Sequence, residues 1–152
     1  WPARISGNGP KRRRLPPDAE AGTTWHARLE DMLPQVDFLS LHCPATPKTA
    51  GLLNAARLAL LPRGAVLVNA ARGALVDEPA LLAAIESGHL AGAGLDCFGT
   101  EPGGNPAFVA HEQIVTMPHV GSATVATRDA MGALALDNLD AFFRGETPPN
   151  LL

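Results

Sequence analysis

Val66-Leu67-Val68-Asn69-Ala70-Ala71-Arg72-Gly73-Ala74-Leu75-Val76-Asp77 is the stretch that decides how this chain folds. Its first part is a short apolar run rich in β-branched residues, entered from Pro62-Arg63-Gly64 and broken at Arg72-Gly73. Such a run, bounded by turn residues, predicts a buried strand of a parallel sheet. A helix then opens at Asp77, a good N-cap, with Pro79 in its first turn. In open α/β sheets, ligands bind just outside the carboxyl ends of the strands. The spacing puts Arg72 there, where a guanidinium can grip a planar carboxylate with two parallel hydrogen bonds. From this stretch alone, an arginine on an ordinary surface loop would look the same.

Working outward, the same alternation continues in both directions. Downstream, Leu81, Leu82 and Ile85 give the helix an apolar stripe, and Gly88 stops it. Gly92 to Phe98 reads as the next strand, the segment from Gly99 to Asn105 as a loop, and Ile114 to Met117 as a further strand. A long helix is predicted from about Thr124 to Arg144. Met131, Leu134, Ala135, Leu139 and Phe142 recur on one face of it, so that face is expected to be buried. Upstream, a helix over Ala55 to Leu61 is capped by Asn54, Val36 to Leu41 is a strand, and Leu29 to Leu33 is a short helix ended by Pro34. Strands alternating with helices predict an α/β fold with a parallel sheet and right-handed crossovers.

The first 24 residues break this order. Glycine, proline and basic residues dominate, Pro16-Pro17 forbids a helix, and the segment reads as irregular. Gly7-Asn8-Gly9 is not read as a phosphate-binding glycine loop, because neither a strand before it nor a helix after it is apparent. The tract Lys11-Arg12-Arg13-Arg14 is a solvated loop or a site for a phosphate.

The totals narrow the function classes. The length of 152 residues fits one domain or a piece of a larger one, and 46% hydrophobic content is that of a globular protein. A net charge of -3 gives no support for a nucleic-acid partner. Two cysteines, Cys43 and Cys97, make no disulfide framework and point to a reducing compartment. No apolar run reaches the length of a membrane span and the start has no leader-like pattern, so a cytoplasmic chain is expected.

Arg72, Glu101 and His119 each follow a predicted strand, as does Asp96. Together they suggest one crevice at the carboxyl edge of the sheet. A histidine can pass a proton near neutral pH, and a carboxylate beside it would orient its ring. Arg72 would hold an acidic substrate. A hydrolase built on Cys43 and His42 is disfavoured, since neighbours on a strand point to opposite faces. A metal site is disfavoured too, because the histidines and cysteines lack ligand spacing.

Val68-Asn69-Ala70-Ala71-Arg72-Gly73, Gly94-Leu95-Asp96-Cys97-Phe98, Glu101-Pro102 and Pro118-His119-Val120-Gly121-Ser122-Ala123-Thr124 occur in that order. The chain from about Leu29 to Leu152 resembles the D-isomer-specific 2-hydroxyacid dehydrogenase family, which includes glyoxylate and hydroxypyruvate reductases. The resemblance implies a partial doubly wound (Rossmann-like) parallel sheet with a long carboxyl-terminal helix. It also implies an oxidoreductase that moves a hydride between NAD(P)H and a small 2-oxo acid. Arg72 would contact the substrate, His119 would be the acid–base residue and Glu101 its partner. Asp96 would face the nicotinamide carboxamide, while Cys43, Pro44, Ala70, Ala71, Arg72, His119, Gly121 and Ser122 would line the dinucleotide.

The resemblance also implies parts that this sequence does not contain: a leading strand, the G-x-G-x-x-G loop and its helix. The chain therefore reads as the carboxyl-terminal half of such an enzyme. Its expected divisions are an irregular segment over 1–24, half of a dinucleotide-binding domain over 25–118, and a helix that returns to a substrate domain over 119–152. Arg12 to Arg14 fall near the adenosine ribose in this reading, and no acid stands there, which favours NADP over NAD. An open sheet edge at Val36 to Leu41 and an uncovered helix face predict a homo-oligomer. The competing reading is a catalytically incomplete remnant that serves as a non-enzymatic self-association or interaction module.

Overall fold

The computed structural model describes residues 5–9 and 23–151. The basic tract at Lys11 to Arg14 lies outside them. The strands, in chain order, are β1 (Ile5–Gly7), β2 (Thr23–Trp25), β3 (Phe38–Leu41), β4 (Ala65–Asn69), β5 (Leu90–Leu95) and β6 (Ile114–Thr116). The α-helices are α1 (Leu29–Met32), α2 (Ala55–Leu58), α3 (Glu78–Glu86), α4 (Pro106–Val109) and α5 (Val125–Phe143). The chain divides into two compact units, one ending at Pro118 and the other beginning at His119.

Local chemistry sets the helix starts. Asn54 accepts the Arg57 N–H at 3.1 Å, Asp77 accepts the Ala80 N–H at 3.1 Å, and Thr124 accepts the Thr127 N–H at 3.2 Å. Each satisfies a donor that the first turn leaves without an intrahelical partner. Gly88 and Gly145 follow their helices with φ of 68° and 73°, a conformation that costs glycine little. Between α1 and α2, Arg57 donates to Glu30 Oε1 through Nε at 3.0 Å and Nη2 at 2.8 Å, and to the Leu52 carbonyl at 2.9 Å. That guanidinium holds the Glu30 carboxyl below its ordinary range.

β3, β4, β5 and β6 form one sheet in that order, every pair parallel. Leu39, Leu67, Ala93 and Ile114 stand in register across it on one face, and all are buried. The helices of the first unit complete this core with Leu33, Leu58, Leu81, Ile85 and Phe108, all at most 1% exposed. Burying each such side chain contributes about 1.5–3 kcal/mol. The alternate positions Phe38, Val68 and Val115 stand on the opposite face and are exposed. The strand order follows the chain without reversing. This is one half of a doubly wound arrangement.

Two expectations are corrected. Residues 1–24 are not wholly irregular: Ile5–Gly7 is a strand, paired in parallel with Thr23–Trp25. So a strand does precede Asn8-Gly9. Three residues without an apolar period carry no local strand signal; their partner lies 18 positions on in register. The long helix has no buried residue, and Met131, Leu134, Leu139 and Phe142 are 45% to 65% exposed. Helical periodicity predicts an apolar face without supplying what covers it.

Candidate functional site

All four strands of the main sheet run the same way, so their carboxyl ends share one edge, and the expected site residues follow those ends. His42 and Cys43 follow β3, Ala70 to Arg72 follow β4, and Asp96 follows β5. An open cleft of about 470 Å³ lies there, lined by His42, Cys43, Pro44, Ala45, Ala70, Ala71 and Arg72. The structure thus brings together Cys43, Pro44, Ala70, Ala71 and Arg72. His42 and Cys43 both line the cleft, contrary to the expectation that they diverge, because β3 ends at Leu41 and strand alternation stops with it. His42 Nε2 lies 2.8 Å from Ser40 Oγ.

The turn that carries Arg72 is built by Asn69, the last residue of β4, which is 1% exposed. Its Oδ1 accepts the Ala71 N–H at 3.1 Å and its Nδ2 donates to the Arg72 carbonyl at 2.9 Å. A buried amide must find partners, and here they are the backbone of the site. After Arg72 the chain is pinned again: Gly51 and Leu53 donate to the carbonyls of Ala74 and Leu75, and Asp77 donates to that of Leu53. The sequence reading missed Asn69 as a site residue. A lone amide at the end of an apolar run was the available signal.

Gly73 brings this turn against the loop after β5. A Cβ at Gly73 would lie 1.9 Å from the Phe98 carbonyl carbon and 2.4 Å from the Gly99 nitrogen. Only a residue without a side chain permits that approach. Cys97 is buried beside this junction, its Sγ 3.5 Å from the Asn69 carbonyl oxygen. Burial pushes the Cys97 thiol up, and the Glu101 and Asp96 carboxylates add to the rise against the Arg72 guanidinium. Arg72, Asp96 and Glu101 therefore all lie within electrostatic reach of one sulfur. Glu101 Oε1 also accepts the Phe98 N–H at 2.8 Å.

His119, Gly121 and Ser122 belong to the second unit. His119 has φ of 55°, the one positive φ outside glycine among the described residues. Histidine enters this left-handed region more readily than most residues, yet it still stores strain there, a cost that persists chiefly at functional sites. The segment leads directly into α5: Ala123 N–H donates to Val120 O at 2.9 Å, and Arg128 Nε donates to Ser122 O at 3.2 Å.

The family model for "D-isomer specific 2-hydroxyacid dehydrogenase, NAD binding domain" matches residues 3–121. The chain belongs to the D-isomer specific 2-hydroxyacid dehydrogenase family. It is 42% identical to the glyoxylate reductase of Pyrococcus furiosus over 140 residues, which are 92% of this chain and 41% of that protein. It thus spans about two-fifths of the length of this curated relative. Among solved structures it is similar to the NADPH-dependent glyoxylate/hydroxypyruvate reductase of Sinorhizobium meliloti in complex with NADP and malonate. The TM-score is 0.85 at 39% identity, over 93% of this chain and 43% of that one. A D-isomer specific 2-hydroxyacid dehydrogenase from Xanthobacter autotrophicus, in complex with NADPH and MES, aligns with a TM-score of 0.80 at 34% identity, over 98% of this chain and 60% of that one. The fold described above is shared with both of these structures. Among the described residues, no helix is long and apolar enough to cross a membrane.

Proposed function

We propose that this chain carries the acid–base and carboxylate-binding half of an oxidoreductase that interconverts a small 2-oxo acid, such as glyoxylate or hydroxypyruvate, with its 2-hydroxy acid. The observation that carries the reading is Arg72 on the rim of the cleft, on a turn whose backbone a buried amide fixes. The cleft fits a nicotinamide cofactor in kind: Pro44, Ala45, Ala70 and Ala71 offer small side chains and backbone for a flat ring to lie against. In this reading Cys43, Pro44, Ala70 and Ala71 hold the cofactor together with Gly121 and Ser122, and Asp96 meets its carboxamide. When bound, the reduced cofactor supplies the hydride.

The chain's own residues do the rest. Arg72 grips the substrate carboxylate, turns its carbonyl into place and stabilises the negative charge that develops on the carbonyl oxygen. His119 gives that oxygen a proton, and takes it back in the reverse direction. Glu101 orients the imidazole. NADP is favoured over NAD because the run Arg12-Arg13-Arg14 is cationic, contains no acid and suits a 2′-phosphate.

The test is fluorescence titration of the purified chain with NADPH and NADH, followed by glyoxylate and a watch for cofactor oxidation. It is run at two protein concentrations, since the exposed apolar residues of α5 favour self-association. NADPH is expected to bind more tightly. Turnover should fall by about 10²–10⁴-fold in His119→Ala. An absence of binding at millimolar cofactor refutes the reading.

A further inference from the structure

The loop that carries Glu101 is held from outside itself. Glu78, the first residue of α3, commits both carboxylate oxygens to it. Oε1 accepts the Gly99 N–H at 2.7 Å and Oε2 accepts the Asn105 side-chain amide at 3.0 Å. These two anchors stand on either side of Glu101 in sequence. Asn105 is fixed in turn, because its Oδ1 accepts the Ala107 N–H at 3.0 Å and so caps α4. The same loop is pressed against Gly73, the residue after Arg72. The connection after β4 and the loop after β5 are therefore fastened at two places, by backbone contact at Gly73 and by the Glu78 carboxylate.

We propose that Glu78 is a positioning residue that sets where Glu101 stands relative to Arg72. The proposal rests on the roles given above to those two residues. The chemistry requires a carboxylate at position 78. Both of its partners are donors, and an amide could accept from only one of them while turning an N–H toward the other.

That requirement supplies its own rescue. In Glu78→Gln the bridge to Asn105 meets donor against donor, and in Asn105→Asp it meets acceptor against acceptor. In the double variant the new amide donates to the new carboxylate, whose other oxygen still caps α4. The experiment compares the chain with these three variants by backbone amide exchange and by steady-state kinetics. In Glu78→Gln, the Phe98 amide, which bonds Glu101 and not Glu78, is expected to exchange about tenfold faster or more while the β5 amides keep their protection. Displacing Glu101 should lower kcat by about tenfold or more while the KM for cofactor stays within about twofold. The double variant should recover both. Uniform loss of protection, or failure of the double variant to recover, would assign Glu78 a role in fold stability alone. An unchanged Phe98 amide in Glu78→Gln would also overturn the proposal. If the unmodified chain gives no turnover, the functional reading has failed, and Phe98 exchange still decides whether Glu78 holds Glu101.

Discussion

Gly73→Ala is the substitution that most directly probes how the site is assembled. The added Cβ would sit 1.9 Å from the Phe98 carbonyl carbon, 2.0 Å from its oxygen and 2.4 Å from the Gly99 nitrogen. Real contacts of this kind essentially never fall below 3.0 Å, so the two backbones must part by at least 1.1 Å, the difference between the two distances. Both are main chain, and neither can swing aside as a side chain would. Overpacking of a rigid site costs about 1–3 kcal/mol, and backbone on both sides places this case at the upper end. Parting them also strains the Gly99 N–H bond to Glu78, worth about 1 kcal/mol more. A loss of about 3–4 kcal/mol lowers Tm by about 6–16 °C in a chain of this size. Gly94→Ala is the control, because a Cβ there meets nothing within 4 Å; its change should stay within about 0.5 kcal/mol. The assay is thermal and urea unfolding followed by circular dichroism. If Gly73→Ala melts within about 2 °C of the unmodified chain, the turn and the loop do not touch and the site is not assembled through Gly73.

Two further outcomes follow from other parts of the first unit. Asn69→Ala leaves the Ala71 N–H and the Arg72 carbonyl without their partner, and is expected to cost about 1–3 kcal/mol in urea unfolding. Glu30→Gln should lower Tm near neutral pH. Because the folded-state pKa of Glu30 lies below its unfolded value, its contribution is present above the ordinary carboxylate range and is lost as pH falls through the folded value. The difference in Tm between the two proteins should therefore shrink below about pH 4, and a difference that grows on acidification would refute the assignment.

How much could be read in advance depends on how local the signal is. Asn54, Asp77 and Thr124 announce helix starts because a cap needs only the next three residues. β4 announces itself because an apolar β-branched run between turn residues has few other uses. The position of Arg72 after a strand end follows from the second of these. β1 was invisible because its partner is distant and its three residues, Ile5, Ser6 and Gly7, carry no period. Phe108 and the short helix α4 were missed, although Asn105 caps it as Asn54 caps α2 and Pro106 stands in its first turn. Glu78 was hidden by its place. An acid in the first turn already has a reason to be there, since it favours the helix dipole, and nothing nearby in sequence points to a loop 21 residues away.

The residues proposed for the chemistry and the residues that hold their loops are therefore of different kinds. Arg72, Glu101 and His119 could be suspected from side-chain type and from their positions after strands. Asn69, Gly73 and Glu78 could not, because an amide, a glycine and a first-turn acid each have common uses elsewhere. Yet these three hold the carboxyl edge together. Asn69 bonds the turn before Gly73, Gly73 sets that turn against the loop after β5, and Glu78 ties the same loop to α3. All of these links lie within the first unit, so the support for Arg72 and for the Glu101 loop needs no residue of the second. His119 opens the second unit in a left-handed backbone conformation, one that few residues other than glycine adopt readily.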